Sequence, residues 1–371
     1  MKCEAYFTGR FFVLLSPFSA FSMTILITGG AGFVGSNLAL ALRREMPGTR
    51  VLCMDNLYRR GSELNVPRLE AAGIEFHRGD VRHPESFPEV SFDLMVECSA
   101  EPSVLAGQDG SPDYLVQTNL VGAYNCLEAC RKHRAGMLFL STSRIYPIAR
   151  LESQPWREEP TRFAWEDDGI PGISSRGVSE NIDLGGARSL YGSTKLSAEL
   201  LIEEYRATYD LKAAVNRCGV IAGPWQFGKV DQGVIALWVM AHYFKRPLSY
   251  IGYGGQGKQV RDLLHIDDLC DFLVMQIREF PAWDGWLGNV AGGLGCSVSL
   301  SELTDLCREV TGNTVPITSI PENRPSDLRL FIGDCSRLFA RTHWRPQKSV
   351  RQIVADTHNW IRQHAEILKS L

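Results

Sequence analysis

The sequence contains no pair of cysteines at CxxC spacing, although ten cysteines occur among its 371 residues. Cysteine and histidine do not cluster at zinc-binding spacing either, which argues against the common structural zinc sites. The cysteines are scattered through apolar or helical stretches, for example at Cys53, Cys126, Cys130 and Cys307. We therefore predict reduced, mostly buried thiols and no metal site, which favours a cytoplasmic protein.

The sequence also lacks an excess of charge of one sign. It has 39 Lys and Arg residues against 42 Asp and Glu residues, so its net charge is −3. A nearly neutral chain does not provide the basic surface that nucleic-acid-binding proteins and charge-attached membrane proteins use. We therefore expect neither nucleic acid nor membrane as a partner.

No hydrophobic run in the sequence is long enough to span a bilayer. Residues 1–22 hold basic residues followed by a short apolar run, as in a secretion signal, but Pro17 interrupts that run. Directly after it, Met23 opens a predicted strand. We interpret residues 1–22 as a disordered extension or as the result of a start codon assigned too early.

Strand-like and helix-like patterns alternate along residues 23–215. Continuous apolar runs are typical of strands buried in a parallel sheet, and they occur at 24–28, 51–56, 74–80, 93–100, 136–142 and 212–220. Helical patterns such as 114–133 lie between them, so we predict an α/β fold with a doubly wound parallel sheet over 23–215. Beyond residue 216 the alternation loosens. Helical patterns at 234–246 and 299–312 predict a smaller substrate-binding domain over 216–371, with some elements returning to the first sheet.

The segment TGGAGFVG (28–35) joins the first predicted strand to a helix. Gly29 is predicted to allow a tight turn, and Gly32 to let the backbone approach a pyrophosphate at the helix N-terminus. Gly35 is predicted to allow close packing of the helix on the strand. Glycines in this context indicate a dinucleotide-binding site.

Asp55 ends the second predicted strand, 20 positions after Gly35, which is the separation expected of a βαβ dinucleotide site. Its carboxylate suits the hydroxyls of the adenosine ribose and repels a 2′-phosphate, so we predict NAD rather than NADP. Arg59 and Arg60 lie just beyond, where they either soften this preference or belong to a solvated loop.

The segment SLYGSTK (189–195) places Tyr191 and Lys195 one helical turn apart. Tyrosine is a poor base at neutral pH unless its anion is stabilised, and an ammonium together with an oxidised nicotinamide ring would lower its pKa. Taken alone, this spacing favours a surface contact between the two side chains. Thr142, however, ends a predicted strand, and ligands bind at that end in doubly wound sheets. The three residues together predict a proton-transfer site.

These motifs together resemble the extended short-chain dehydrogenases/reductases, in their nucleotide-sugar epimerase and dehydratase branch, over residues 23–365. The resemblance is also carried by DN at 55–56, GDV at 79–81, GKQVRDLLHIDDL at 257–269 and RPSDLRLFIGD at 324–334. It implies a Rossmann fold that binds NAD and a nucleotide-diphosphate sugar as substrate. It also implies a homodimer formed through helices 114–133 and 191–209.

The resemblance assigns roles to individual residues. It implies that Thr142, Tyr191 and Lys195 are catalytic. The implied cofactor site contains Tyr191 and Lys195 together with Gly29, Gly32, Phe33, Val34, Gly35, Asp55, Asn56, Asp80, Val81, Ser99 and Ala100. The diphosphate of the substrate is assigned to two arginines, whose planar guanidinium groups suit bidentate phosphate contact, namely Arg261 and Arg324. Other implied substrate contacts are Glu101, Ser103, Ser143, Asp231 and Gln232.

The residues after Thr142 limit the choice of reaction within the family. By the resemblance, dehydratases place an acid pair there and UDP-glucuronate decarboxylases a glutamate, whereas this chain has Ser143 and Arg144. This argues against dehydration, weakens the decarboxylase interpretation and favours epimerisation.

Two longer features resemble the CDP-paratose (CDP-tyvelose) 2-epimerases: the DQG triplet at 231–233 and the insert at 156–184, which precedes Tyr191. The resemblance therefore favours epimerisation at C2. The insert is predicted to be a functional loop or a solvated surface excursion. The remaining alternatives are a UDP-sugar 4-epimerase, a UDP-glucuronate decarboxylase-type enzyme and a non-catalytic NAD-binding protein.

The chain departs from the family pattern at two places. ECSAEPS at 97–103 replaces the common HLAA, and Val220 stands where the family has an asparagine that contacts the substrate. These departures leave the base and the sugar of the substrate open.

Overall fold

The computed structural model describes residues 23–166, 169–228 and 233–370. The strands in these ranges are β1 (Thr24–Thr28), β2 (Arg50–Asp55), β3 (Glu75–Arg78), β4 (Leu94–Glu97), β5 (Gly136–Thr142), β6 (Trp156–Glu158), β7 (Phe163–Trp165), β8 (Ile173–Ser174), β9 (Gly177–Val178), β10 (Ala213–Cys218), β11 (Val220–Ala222), β12 (Leu248–Ile251), β13 (Val260–His265), β14 (Leu287–Val290), β15 (Ser297–Ser299), β16 (Ile317–Ile320) and β17 (Leu330–Phe331).

The α-helices are α1 (Phe33–Glu45), α2 (Val66–Ala71), α3 (Asp113–Val116), α4 (Gly122–His133), α5 (Ile148–Glu152), α6 (Leu190–Tyr209), α7 (Val234–Tyr243), α8 (Ile266–Arg278), α9 (Leu300–Thr311), α10 (Ser336–Arg341), α11 (Val350–Gln363) and α12 (Ala365–Ser370). A π-helical turn at Gln117–Val121 joins α3 to α4. Short 3-10 helices occur at Ser62–Asn65, Pro84–Ser86, Ser143–Ile145, Tyr253–Gly255, Phe280–Trp283 and Leu294–Cys296.

Seven parallel strands form the main sheet, in the order β14-β10-β5-β4-β1-β2-β3. Successive side chains of a strand point to opposite faces, so Ile25 and Ile27 pack with Leu38 of α1, whereas Leu26 packs with Leu127 of α4. Helices thus cover both faces, which confirms the predicted doubly wound Rossmann fold. The strand order reverses between β4 and β1, the place where such sheets bind ligands.

The second lobe is built on β11, β13, β15 and β17. Its core packs α7, α9 and α11 together through Trp238, Leu303 and Ile353. The predicted boundary at 215/216 falls inside β10, which continues in the main sheet to Cys218. Farther along the chain, α8 and β14 also belong to the first lobe, because the apolar side chains of α8 pack against α1.

The insert at 156–184, predicted as a functional loop or a solvated surface excursion, contains two short hairpins, β6–β7 and β8–β9. Arg162 forms a 2.7 Å ion pair with Glu302 of α9, and the Val178 N–H donates to the Ile332 carbonyl over 2.8 Å. Trp165 and Val178 are buried. These apolar residues anchor the insert to the second lobe.

Nine cysteines lie in the described ranges, and all are free thiols; eight are buried and Cys98 is half-buried. This agrees with the predicted state of the cysteines. In the described part of the chain, none of the helices combines the length and the apolar character needed to span a bilayer.

Candidate active site

A cleft of about 640 Å³ is lined by residues of both lobes. It opens at the carboxyl ends of β1, β4 and β5, where the fold predicts ligand binding. The sequence-predicted site residues that line it are Gly29, Gly32, Phe33, Val34, Ala100, Thr142, Ser143, Tyr191, Lys195, Arg261 and Arg324.

The glycine turn after β1 fits a dinucleotide. Gly29 adopts a left-handed φ of +64°, and a Cβ there would lie 2.7 Å from the Cys98 carbonyl oxygen. Gly32 caps α1 without a side-chain hydrogen bond, and the first turn of α1 has no acidic residue. The first N–H groups of α1 are thus suited to a phosphate. Gly35 packs on the turn itself, because a Cβ there would lie 2.3 Å from the Gly29 carbonyl oxygen.

Asp55 binds the glycine turn. Its carboxylate accepts hydrogen bonds from the N–H groups of Ala31 (3.1 Å) and Leu57 (2.8 Å). Burial raises the pKa of Asp55, and these N–H groups oppose the rise. Asp55 therefore sits at the end of β2 next to the turn, although its side chain does not line the cleft.

Three residues of the predicted cofactor site have partners away from the cleft. Asp80 forms a 2.7 Å ion pair with Arg82 and accepts a 2.9 Å hydrogen bond from Asn56. Burial acts to raise the pKa of Asp80, but Arg82 and Asn56 lower it to about 2. The Val81 side chain is buried in the core against Gly122. None of Asn56, Asp80 and Val81 lines the cleft.

Five further predicted residues either do not line the cleft or lie outside the described residues. Glu101 and Ser103 do not line the cleft. The Glu101 carboxylate accepts a 3.1 Å hydrogen bond from the Ser103 N–H. The Ser103 hydroxyl accepts a 3.2 Å hydrogen bond from the Leu105 N–H. Both side chains thus stabilise their own loop, while Ala100, Pro102 and Val104 face the cleft. Ser99 is buried beside this loop. Asp231 and Gln232 lie outside the described residues.

The first turn of α6 is held against the residues that follow β5. Ser189 caps α6 by accepting a 3.1 Å hydrogen bond from the Gly192 N–H. A Cβ at Gly192 would lie 2.0 Å from the Arg144 carbonyl oxygen, so only glycine permits this approach. The glycine inside the SLYGSTK segment therefore brings Tyr191 to Thr142.

The Tyr191 phenol has a pKa above its ordinary value, because burial outweighs the polar and charged groups around it. Burial raises the pKa of the Tyr191 phenol, while the Lys195 charge, the Thr142 hydroxyl and the Arg144 charge lower it. Lys195 is 2% exposed. The arrangement can therefore pass a proton between the phenol and a ligand in the cleft, with Thr142 beside the same oxygen.

A buried network fixes α6 relative to the sheet. Glu199 of α6 accepts a hydrogen bond from the hydroxyl of Ser141 of β5. It also forms a 2.7 Å ion pair with Arg217 of β10. The side chains of Glu199 and Arg217 are 3% and 4% exposed. Because Ser141 precedes Thr142 and Glu199 shares a helix with Tyr191, the network helps to set the position of Tyr191 relative to Thr142.

The fold brings two further residues to this region that were not predicted as site residues. Arg144 lines the cleft, and its guanidinium donates to the Ser326 carbonyl over 3.2 Å. Burial, together with the Arg261 charge, lowers the pKa of Arg144 to about 10. Asn119 lies in the π-helical turn, and its side-chain oxygen accepts a 2.8 Å hydrogen bond from the Glu101 N–H. Its side-chain nitrogen donates a 3.3 Å hydrogen bond to the hydroxyl of Thr194 of α6. No local motif marks Asn119, because its partners are distant in sequence.

The charges at the second-lobe side of the cleft suit an anion. Arg261 donates to Asp327 over 2.8 Å and to the Leu328 carbonyl over 2.7 Å. Arg324 lines the same part of the cleft. Among the described lining residues the only carboxylate is Asp327, which this ion pair neutralises. In the same ranges, no group of His, Cys, Asp and Glu residues could hold a metal ion.

Comparisons with known proteins agree with this geometry. The NAD dependent epimerase/dehydratase family matches residues 25–284. The chain is 28% identical to CDP-paratose 2-epimerase of Salmonella typhi, over 91% of this chain and 99% of the relative. It is 27% identical to dTDP-glucose 4,6-dehydratase of Mycobacterium tuberculosis, over 92% and 94%. The Thermus thermophilus UDP-glucose 4-epimerase in complex with NAD superposes with a TM-score of 0.71 at 26% identity, over 92% and 99%. The chain therefore belongs to the NAD dependent epimerase/dehydratase family.

Proposed function

We propose that this protein is an NAD-dependent nucleotide-sugar epimerase that transiently oxidises a sugar hydroxyl, with C2 as the favoured carbon. The observation that carries the proposal is that Thr142, Tyr191 and Lys195 line the same cleft as Arg261 and Arg324. The similarity to CDP-paratose 2-epimerase of Salmonella typhi supports the choice of reaction and of carbon.

NAD, bound along the glycine turn and α1, supplies an acceptor for hydride and later its donor. Tyr191 as phenolate removes the proton of the sugar hydroxyl and returns it after inversion. Thr142 hydrogen-bonds the same oxygen, and Lys195 stabilises the phenolate. Arg261 and Arg324 hold the diphosphate, which leaves the sugar free to present its other face.

The charges in the cleft favour epimerisation over dehydration. Ser143 and Arg144 follow Thr142 into the cleft, where the resemblance expects an acid pair for elimination of water. Asp327, the only carboxylate among the described lining residues, is neutralised by Arg261. Among the described lining residues, removal of water from the sugar thus has no free carboxyl group as its general acid.

The proposal is tested with purified NAD-loaded protein and a panel of CDP-, dTDP-, UDP- and GDP-sugars that includes CDP-paratose. We expect conversion to the C2 epimer without net NADH formation. Substrate deuterated at C2 should react more slowly and keep its deuterium at C2 in the product, because the hydride returns to the same carbon. Substrate deuterated at C4 should react at the normal rate.

Other outcomes identify the alternatives. A rate that depends on deuterium at C4 would indicate a UDP-sugar 4-epimerase type of reaction, and loss of carbon dioxide from a uronate a decarboxylase. Loss of water would indicate a dehydratase. No reaction with any sugar, despite bound NAD, would indicate a non-catalytic NAD-binding protein and contradict the proposal.

We also propose a homodimer through α4 and α6. Tyr124 of α4 and Leu200 of α6 are 45% and 57% exposed, and Leu190 and Tyr209 of α6 are exposed as well. Exposed apolar side chains on adjacent helices are typical of an interface. We expect Leu200→Glu to convert a dimer to a monomer in sedimentation, whereas Leu294→Glu, at a similarly exposed leucine (56%) of the second lobe, should not. A monomeric unmodified protein would contradict this.

A further inference from the structure

Lys195 forms a buried ion pair that the family motif does not predict. Its Nζ lies 3.2 Å from Oε2 of Glu97, and the two side chains are 3% and 2% exposed. Glu97 is the last residue of β4, next to β1 at the point where the strand order reverses. In the sequence, Glu97 is the first residue of the segment ECSAEPS, which departs from the family pattern.

Lys195 is surrounded by an aromatic ring and by titratable side chains from several neighbouring elements. The Phe139 ring of β5 lies under the ammonium, with its centroid 4.0 Å from Nζ. The titratable groups that respond to its charge, besides Glu97, are Tyr191, Cys98, Cys126 and Cys218. Burial raises the pKa of each of these groups, that of Cys218 to about 12, so they are neutral near pH 7. Among the described residues, Glu97 is thus the only carboxylate paired with Lys195.

We propose that Glu97 is a positioning residue that keeps Lys195 charged and holds it beside Tyr191. Burial penalises the charged form of an ammonium, and an opposite charge within a few ångströms compensates. Burial also raises the pKa of Glu97, and the Lys195 charge opposes that rise. Without the carboxylate, Lys195 sheds its proton at lower pH, and Tyr191 loses the charge that favours its anion.

This inference depends on the proposed function for the role of Tyr191, but the charge of Lys195 is measurable without a substrate. The full-length chain, freed of nucleotide, is exposed to a trace of acetic anhydride at a series of pH values. Only a neutral amine reacts, so the extent of labelling of each lysine, read by peptide mass spectrometry, gives the pH at which that lysine loses its proton.

In Glu97→Gln we expect the labelling midpoint of Lys195 to fall by about one to three pH units, the size of effect of a close opposite charge. Glu97→Asp keeps the charge and should give a midpoint between those of wild type and Glu97→Gln. Lys212, a surface lysine 2.6 Å from Asp210, serves as an internal control and should keep its midpoint.

An unchanged Lys195 midpoint in Glu97→Gln would overturn the inference, because a residue that only fills space does not alter protonation. Thermal unfolding shows first whether each variant folds. If Glu97→Gln does not fold, Glu97→Asp is used by itself. A small fall in the labelling midpoint of Lys195 in that variant supports the inference, and an unchanged midpoint overturns it.

The experiment separates this inference from the proposed function. If the midpoint falls but the wild type converts no nucleotide sugar, the proposed function fails and the control of Lys195 by Glu97 remains. If the wild type epimerises and the midpoint does not move, only the Glu97 inference fails. Where both hold, the alkaline limb of the turnover–pH profile of Glu97→Gln should move to lower pH while NAD binding is retained.

Discussion

Replacing Tyr191 by phenylalanine is expected to lower turnover by about a hundredfold to ten-thousandfold, the usual contribution of general acid–base catalysis. The variant loses only the hydroxyl that exchanges the proton. It keeps the glycine turn and α1, so it should still bind NAD. Turnover of the best nucleotide sugar and the NAD content of the purified variant measure the two effects.

Tyr209→Phe provides a matched control on the same helix. Tyr209 is 52% exposed at the end of α6 and does not line the cleft, so its loss of a hydroxyl should leave turnover unchanged. A Tyr191→Phe protein that epimerises at the wild-type rate would contradict the assigned role. Loss of NAD from that variant would instead show that the phenol contributes to cofactor binding.

Glu199→Gln is expected to lower the free energy of unfolding by about 3–5 kcal/mol, as is typical when one partner of a buried ion pair is removed. The Arg217 guanidinium would then be buried without a counter-ion, and Ser141 would lose its carboxylate partner. Urea denaturation measures the change. The same variant should also have a lower turnover, because the network sets the position of α6 relative to β5.

The exposed pair of Arg50 and Glu75 is a matched control for this prediction. Their side chains are 44% and 50% exposed, and the contact is 2.7 Å long. Glu75→Gln should therefore cost less than about 1 kcal/mol. A cost for Glu199→Gln as small as this would show that the buried network does not stabilise the fold as we expect. A Glu199→Leu/Arg217→Met double variant should recover much of the stability, since no buried charge is left unpaired.

Several features could be predicted because they depend on residues close together in the sequence. The glycine turn at 28–35 requires a positive φ at Gly29 and close approach at Gly35, and both requirements are visible as glycines. The separation of Tyr191 and Lys195 follows from the helical repeat. The buried apolar strands of a parallel sheet have a recognisable composition, so the fold was predicted correctly.

The sequence did not indicate which partners several other side chains engage. Asp80 was predicted to belong to the cofactor site, and the structure shows that Arg82 and Asn56 engage its carboxylate. Glu101 and Ser103 were expected to contact the substrate, whereas in the structure Ala100 and Pro102 of the same loop line the cleft. The sequence also did not show that the insert is anchored to the second lobe, since its contacts, such as that of Arg162 with Glu302, span 140 residues.

By itself the sequence determined the doubly wound sheet, the dinucleotide turn and the Tyr191–Lys195 spacing, because short-range backbone geometry dictates each of them. Only the tertiary structure decided that Glu97 pairs with Lys195 across 98 residues of chain, and that Arg144 lines the cleft. The physical reason is that an ion pair or a cleft wall forms where distant strands and helices pack together, and no local pattern records which side chains meet there.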